Sequence, residues 1–415
     1  MSNDKDETSS ERTIAIIGNG LSGYTVTAEL LKEKKRLGEQ FSIVVIEANS
    51  YYESDVKSIY CLNHPDHYSK NVTSQELLRH PGVEYVQGTV RTITQLHDQQ
   101  VVIYLETERR TTTNQKPQEE RRVPANAIIC ASGYSYPVLK PKLNQNFTSR
   151  QEVRQSFHSQ TPQASFVLAA IKNTDTLKFC TLKELKEYFD AIKKANSVVV
   201  AGGGIVGLEL AGEVLRLLDK ADRDGVVKLV ITGDYVLDSS YSKAERKFLT
   251  EKIRNTHNVD LITNEKIEGN KVYADKNVKF DGSASIQHAT YSMSSGKTIE
   301  ADVFFPAWPV PRTRYLEHLI KVGGAVDIWD ESGDLIVNHK TLEAKNIRGC
   351  VFAVGCSDLR RREGNNAPKI KNQAKTVAHN VIESLIGYQM SKIHKGKSVR
   401  GVHKSAFMVG GEHLL

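Results

Sequence analysis

A short apolar strand that runs into G-x-G-x-x-G and then into a helix occurs twice in this chain, and nothing else constrains its fold as much. The first copy is Thr13–Gly23, TIAIIGNGLSG. Ile14-Ala15-Ile16-Ile17 reads as a buried parallel strand, and Val26, Leu30 and Leu31 continue at helical spacing. In that setting Gly18 permits the tight turn, Gly20 lets the backbone approach a pyrophosphate, and Gly23 lets the helix sit close to the strand. The helix N-terminus offers its unpaired N–H groups and positive dipole end to the phosphates. A second strand over 41–46 ends in Glu47, whose carboxylate is placed to accept hydrogen bonds from a ribose diol. The alternative is a glycine-rich loop in some other doubly wound sheet.

The second copy is Ser197–Gly207, SVVVAGGGIVG. Val198-Val199-Val200 form its strand, Gly202, Gly204 and Gly207 take the three glycine positions, and 206–218 continues as helix. A further strand is expected over 227–231. Two such units, 184 residues apart from Gly18 to Gly202, form an internal repeat. One site suffices for a simple dehydrogenase; two imply two dinucleotides and electron transfer between them. The second unit lacks an acid where the first has Glu47: its strand ends Ile231-Thr232-Gly233, with Asp234 one place further. An acid there selects a ribose 2′-hydroxyl and repels a 2′-phosphate, so this position does not separate NADH from NADPH.

At 415 residues the chain is long enough for two or three domains. Its 39% hydrophobic and 25% charged residues place it with ordinary globular proteins rather than disordered ones. No run approaches 18 apolar residues, so no membrane-spanning helix is expected. Cys61, Cys130, Cys180, Cys350 and Cys356 are odd in number and form no C-x-x-C, which points to reduced thiols in an intracellular compartment. The start, MSNDKDETSSER, resembles neither a secretory signal nor a transit peptide, and Ser2 excludes N-myristoylation. A net charge of +7 favours anionic partners weakly.

Between the two repeats, a helix is expected around 56–62, a strand over 82–93, another over 101–106, and an exposed hairpin extension over 107–122. Ala127–Gly133 reads as a buried strand ending in small residues that let the backbone pass close to a ligand. Residues 137–180 read as an irregular connector, followed by helical spacing over 182–194. Beyond the second repeat, short strands are expected at 258–263, 271–273 and 298–305, then a buried strand over 347–355 and a helix over 371–386.

This order of motifs resembles the two-dinucleotide flavoprotein reductases, the pyridine nucleotide-disulfide oxidoreductases. Within them it is most similar to the apoptosis-inducing-factor-like and ferroptosis-suppressor-type branch, related to single-chain NADH:quinone reductases. The resemblance spans about 13–386 and rests on GNGLSG with Glu47, EANSYYES, ICASG at 129–133, AGGGIVGLELAGE at 201–213 and VFAVG at 351–355. It implies an α/β fold of two Rossmann-type domains, the second inserted in the first, plus a short C-terminal segment. The expected division is a disordered 1–12, an FAD-binding domain at 13–150 and 330–388, an NAD(P)H-binding domain at 181–310, and a basic tail at 389–415. FAD would lie against Gly18, Asn19, Gly20, Leu21, Ser22, Gly23, Glu47 and Ala48, with Val90 offering backbone contacts to adenine. Ala131, Ser132 and Gly133 would pass beside the flavin, with Gly355, Cys356 and Asp358 completing that site. NADH or NADPH would lie against Gly202, Gly204, Ile205, Val206 and Gly207. Glu209 would lie near the nicotinamide–flavin junction as the candidate catalytic residue; the alternative is a helix first-turn acid favoured by the dipole.

No C-x-x-x-x-C follows the first unit, so electrons reaching the flavin are expected to leave directly to a quinone or similar small acceptor. Three departures from the family pattern stand out: Cys356 where an acid normally follows VFAVG, Trp308 where a glycine normally stands, and the missing acid after Ile231. They leave room for weak turnover. Arg360-Arg361-Arg362 and 392–404 are the basic clusters; they read as solvated, with peripheral membrane contact or nucleic-acid binding as the alternatives. Phe407–Gly411 is similar to the start of the family's C-terminal part. His64, His67 and His80 show no metal-ligand periodicity, and no metal is expected. Tyr51 and Tyr52 are candidates for packing or for lining the flavin pocket. The expected location is the cytoplasm, with peripheral attachment to a membrane, such as the mitochondrial outer face or lipid droplets, as the alternative.

Overall fold

The computed structural model describes residues 12–38, 41–48, 51–53, 55–65, 67, 72–95, 101–107, 119–135, 185–239, 241–273, 284–307, 310–311, 319–321, 324–325, 335–345, 347, 351–355, 367–385, 408–409 and 412–413. The expectations attached to the 137–180 connector, Trp308, Cys356, Asp358, Arg360–Arg362, the 392–404 run and the side chain of Tyr51 lie outside those residues.

The first unit runs β1 (Arg12–Ile17), α1 (Leu21–Leu37), β2 (Phe41–Glu47), α2 (Asp55–Asn63), β3 (Glu84–Gln87), β4 (Thr89–Gln95), β5 (Val101–Thr107), β6 (Glu119–Ala125) and β7 (Ala127–Cys130). The second runs β8 (Ser197–Ala201), α3 (Ile205–Lys220), β9 (Val226–Val230), α4 (Lys243–Arg254), β10 (Val259–Ile262), β11 (Ile267–Tyr273), β12 (Ala289–Met293), β13 (Thr298–Ala301) and β14 (Val303–Pro306). The chain then returns with β15 (Val351–Ala353) and α5 (Ala367–Leu385).

In the first unit the parallel sheet has the order β15-β7-β1-β2-β3. Continuous apolar strands such as Ile14–Ile17 and Ala127–Cys130 suit a sheet covered on both faces, and all of these residues are buried. Helices α1 and α5 pack together on it. The second unit repeats the pattern in the order β10-β9-β8-β14. Because β15 returns beside β7, the second unit is an insertion within the first.

Several sequence readings change. The expected strand over 82–93 is two strands: β3 joins the parallel sheet beside β2, and after Gly88 β4 enters a separate sheet with β5 and β6. The expected strand over 298–305 is broken at Asp302, with β13 pairing β12 in a small antiparallel sheet and β14 pairing β8. Asp302 makes the break: its carboxylate accepts from the N–H groups of Asn196 (2.8 Å) and Ser197 (3.1 Å) and pairs with His288. Neither break interrupts the polar–apolar alternation, which is why periodicity does not reveal it. Of the buried strand expected over 347–355, the described part is β15, and α5 begins at Ala367 rather than 371. Leu319–Lys321, beyond the expected end of the second unit, pairs with β4 of the first.

Helix α2 belongs to the first unit by sequence but packs on α3 of the second. Ile59 and Leu62 join the apolar cluster of Val214, Leu217 and Leu218. Asn63 Nδ2 donates to the Glu213 carbonyl at 2.8 Å and to its carboxylate, which also pairs with Arg216. A short C-terminal hairpin, Met408–Val409 with Glu412–His413, also lies against α3.

Candidate functional site

The two glycine turns are built by the same hydrogen bonds. Gly18 N–H donates to the Ile46 carbonyl and Gly202 N–H to that of Val230, both at 2.8 Å. Ala131 N–H donates to Ile17 at 2.9 Å, and Ala307 N–H to Ala201 at 2.8 Å. These equivalences place Ala131 and Ala307 at matching points, each just after the strand that passes its glycine turn.

The glycines are required by contact. Gly18 and Gly202 have φ of +98° and +137°, which L side chains rarely adopt. A β-carbon on Gly23 would stand 1.9 Å from the Gly18 carbonyl oxygen, and one on Gly207 would stand 1.8 Å from that of Gly202. By contrast, a β-carbon on Gly20 or Gly204 would meet no atom within 4 Å. The middle glycine of each turn therefore faces open space, as a turn that admits a pyrophosphate must. Both helices start at these glycines with no side-chain cap, so their first N–H groups are left for an anion.

At the first turn the surrounding groups are polar. Asn19 is wholly buried; its N–H donates to Glu47 Oε2 at 2.7 Å and its Nδ2 to Gln75 Oε1 at 2.6 Å. Glu47 thus holds the turn from the end of β2, where the ribose is expected. Gly88 N–H donates to the Glu47 carbonyl at 3.0 Å, which brings Val90 and the start of β4 to the same edge. Ala48 follows on the surface. Leu21 and Ser22 open α1, and a β-carbon on Gly355 would stand 2.3 Å from Ser22 Oγ. Gly355 N–H is held at 2.9 Å by Gln373 Oε1 from α5. The structure thus gathers Gly18–Gly23, Glu47, Ala48, Val90, Ala131–Gly133 and Gly355 at the carboxyl ends of the strands, where open α/β sheets bind ligands. Asn19 Oδ1 and Ser132 Oγ are buried there without hydrogen-bond partners. Such orphans suit a polar cofactor that supplies the missing groups.

Gln75 and Gln373 complete this site from segments distant in sequence. Gln373 carried a usable signal: it is a polar residue on the helix face formed by Ile370, Ala374 and Val377, and it is fully buried. Gln75 carried none.

At the second turn Gly203 takes the place of Asn19, and Ile231 takes that of Glu47. Ile231 is buried, and its Cγ2 would stand 2.5 Å from a β-carbon on Gly203. Asp234 lies three residues past Ile231 on the exposed loop, where its Oδ1 accepts from Asn264 Nδ2 at 3.0 Å. Ile205 and Val206 form the first turn of α3 beside Gly204.

Glu209 is the fifth residue of α3, so the reading of it as a first-turn acid is corrected. Burial, reinforced by the Glu213 carboxylate, pushes its carboxyl up to about 7. A dipole-stabilised acid would shift downward instead. The Tyr241 phenol is pushed up to about 12 by burial, then by Asp238, Glu245 and Glu209. Elsewhere, the rings of Tyr60, His64 and His67 stack at the end of α2, with centroids 4.4 Å apart for Tyr60–His64 and 5.4 Å for His64–His67.

The chains leaving the two sites meet. Tyr134–Ser135, just past Ala131–Gly133, pairs antiparallel with Val310–Pro311, just past Ala307. The loops that flank the two glycine turns are therefore hydrogen-bonded to each other.

A family profile described as pyridine nucleotide-disulphide oxidoreductase matches residues 12–355. The chain is 28% identical over 218 residues to the FAD-dependent oxidoreductase FVFD30 of Flammulina velutipes, covering 52% of this chain and 59% of that one. It is 23% identical over 365 residues to apoptosis-inducing factor homolog B of Dictyostelium discoideum, covering 85% and 76%. Among solved structures, reduced CoADR-RHD of Bacillus anthracis superposes with a TM-score of 0.57 at 18% identity, covering 95% and 60%. The chain thus spans about three-fifths of the length of the Flammulina and Bacillus proteins.

Proposed function

The chain belongs to the pyridine nucleotide-disulphide oxidoreductase family, whose cofactors are FAD and NAD(P)H, and from that premise we propose that it is an FAD-dependent NAD(P)H oxidoreductase that passes electrons on to a quinone-like acceptor. The observation that carries this reading is the pairing of Tyr134–Ser135 with Val310–Pro311, which ties together the exits of two equivalent nucleotide turns. When bound, the two cofactors supply hydride transfer from nicotinamide to flavin; the protein supplies position and electrostatics.

The roles follow from the geometry. Gly20 and Gly204 leave room for the pyrophosphates, and the uncapped starts of α1 and α3 present N–H groups to them. Glu47 orients the first turn through the Asn19 N–H while its carboxylate serves the adenosine ribose. Gln373 fixes Gly355 against Ser22, which shapes the far side of the FAD site. Glu209 keeps a proton on its carboxyl up to about pH 7 and can therefore act as a donor beside the second turn.

A disulfide mechanism is disfavoured because it needs a dithiol beside the flavin, and the sequence offers only Cys61 between the first turn and Cys130. Both Cys61 and Cys130 are buried. Direct delivery to a small oxidant remains as the exit route, and a quinone fits the two-electron chemistry. The nucleic-acid-binding alternative rests on Arg360–Arg362 and the 392–404 run, which lie outside the described residues. Cytoplasmic residence, with or without peripheral membrane attachment, is proposed on the sequence alone; no described helix is long and apolar enough to cross a membrane.

The test is anaerobic mixing of the flavin-loaded protein with NADH and NADPH, followed by quinone analogues. Bleaching of the flavin band by at least one nicotinamide, and its recovery on adding quinone, is the expected result. A fully flavinated sample that neither nicotinamide bleaches would reject the reading.

A further inference from the structure

The adenosine end of the second site lacks the carboxylate that the first site has, and the structure sets an arginine over the loop that follows this strand end. Ile231 fills the position equivalent to Glu47 and is only 2% exposed. The loop after it folds back on the glycine turn: Leu237 N–H donates to the Gly203 carbonyl at 2.7 Å. Val236 N–H donates to Thr250 Oγ1 of α4 at 3.0 Å. Leu237 holds φ of +63°, a conformation uncommon for leucine, so this fold-back is enforced by its surroundings.

Tyr235 is carried by that loop next to Val236, whose Cα would stand 3.6 Å from a β-carbon on Gly203. Arg246, on the second turn of α4, lays its guanidinium over the Tyr235 ring, 5.6 Å from the centroid. Arg246 Nε is buried and has no hydrogen-bond partner. Of the carboxylates on these elements, Asp234 bonds Asn264, and Glu245 bonds Ser242 in the capping box of α4. Asp238 acts on the Tyr241 phenol. Lys243 and Lys247 add positive charge on the same turns of α4.

In a Rossmann unit the adenosine ribose lies at the end of the second strand, where an acid takes the 2′-hydroxyl and a nearby arginine accommodates a 2′-phosphate. We propose that the second site selects the 2′-phosphorylated nucleotide, NADPH, and that Arg246, laid on Tyr235 in the loop that follows the apolar Ile231, receives the phosphate. A planar guanidinium with an unmet N–H matches phosphate oxygens in pairs, and contact with the tyrosine ring restricts where it can reach. Buried Ile231 neither attracts the 2′-hydroxyl nor repels the phosphate. This deepens the NAD(P)H reading of the second turn and rests on it.

The experiment is calorimetric titration of the full-length, flavin-loaded protein with 2′-phospho-ADP-ribose and with ADP-ribose, which report binding without turnover. The wild type is expected to favour the phosphorylated ligand at least tenfold. Arg246→Ala and Arg246→Gln should each bring that ratio near one, and the Gln variant keeps the packing on Tyr235. Arg254→Ala, on the last turn of the same helix and paired with Glu251, should leave the ratio as it is. Equal binding of both ligands by the wild type, or an unchanged ratio in both Arg246 variants, would overturn the proposal. If neither ligand binds the folded wild type, the nucleotide reading of the second turn falls, an outcome distinct from equal binding of the two.

Discussion

The first and second glycine turns share their backbone and differ in what surrounds it. Both hold their first glycine by an N–H to the strand beside it, and both press the third glycine against the carbonyl of the first. At the first turn the next shell is a buried polar set of Asn19, Glu47 and Gln75. At the second it is Gly203 against Ile231, an apolar contact with no side-chain hydrogen bond between them. The difference separates two tasks. The shared backbone makes a pyrophosphate cradle, and the side chains at the second turn position and the strand end determine how firmly, and for which ribose, the cradle is used.

The sharpest way to break the comparison is to fill the third glycine of each turn. In Gly23→Val and Gly207→Val a branched side chain must displace a backbone carbonyl lying under 2 Å from the new β-carbon, and backbone yields little. We expect about 3 kcal/mol or more of destabilisation in the affected unit. Gly23→Val should lose flavin altogether. Gly207→Val should remain yellow and lose reduction by nicotinamide. Absorbance spectra and thermal melts distinguish the two, and equal flavin loss in both would mean the sites are not independent.

Filling the middle glycine asks a milder question. An added methyl at Gly20 or Gly204 meets no protein atom within 4 Å, so Gly20→Ala and Gly204→Ala should melt near the wild type. Their β-carbons stand where the pyrophosphate must approach, so nucleotide affinity should fall by roughly 10- to 100-fold, in the first site for FAD and in the second for NAD(P)H. Titration of the apoprotein with FAD, and of the flavinated protein with nicotinamide, reads each separately. Unchanged affinity in either variant would remove the pyrophosphate from that turn.

Glu47→Gln tests the polar side of the contrast. The charge-assisted bond to the Asn19 N–H becomes a neutral one, and such bonds differ by about 1 kcal/mol. Flavin release should quicken by roughly tenfold once the weaker ribose contact is included. The second site, which has Ile231 there, should keep its nicotinamide affinity.

The parts legible in sequence were those the backbone dictates. Glycines at positions 1, 3 and 6 of each turn, and the apolar strands before them, follow from steric rules that one chain displays by itself. What stayed hidden depends on partners distant in sequence. Gln75 reaches Asn19 across 56 residues, and nothing local marks it. Arg246 looks like one more basic residue on an exposed helix until the loop carrying Tyr235 is folded onto it. The break at Asp302 was hidden because alternation continues through it, although an aspartate in the middle of a strand pattern could have raised the question. Docking of α2 on α3 was likewise invisible, since its apolar spacing shows that a face is buried and not what covers it.

The smallest expected effect comes from one more matched pair of positions. Thr25 and Glu209 stand at the same offset from the first glycine of their turns. Thr25 folds its hydroxyl back onto the Leu21 carbonyl at 2.6 Å and does not ionise in the physiological range. Glu209 is mostly buried beside Glu213, and its carboxyl is pushed up to about 7. The folded state therefore binds this proton more tightly than the unfolded chain does. Stability from this group is unaffected below its ordinary value near 4.5, declines as pH rises from there to about 7, and stays lowered above that. Partial exposure reduces the full effect to about 1 kcal/mol. Melting temperature should accordingly drop between pH 5 and pH 8 in the wild type, and Glu209→Gln should flatten that slope while leaving flavin bound. If Glu209→Gln keeps the wild-type slope, the proton is held elsewhere. If it flattens the slope and also shifts the pH dependence of flavin reduction by nicotinamide, then Glu209 acts at the second turn itself, and the asymmetry between Thr25 and Glu209 extends to the chemistry.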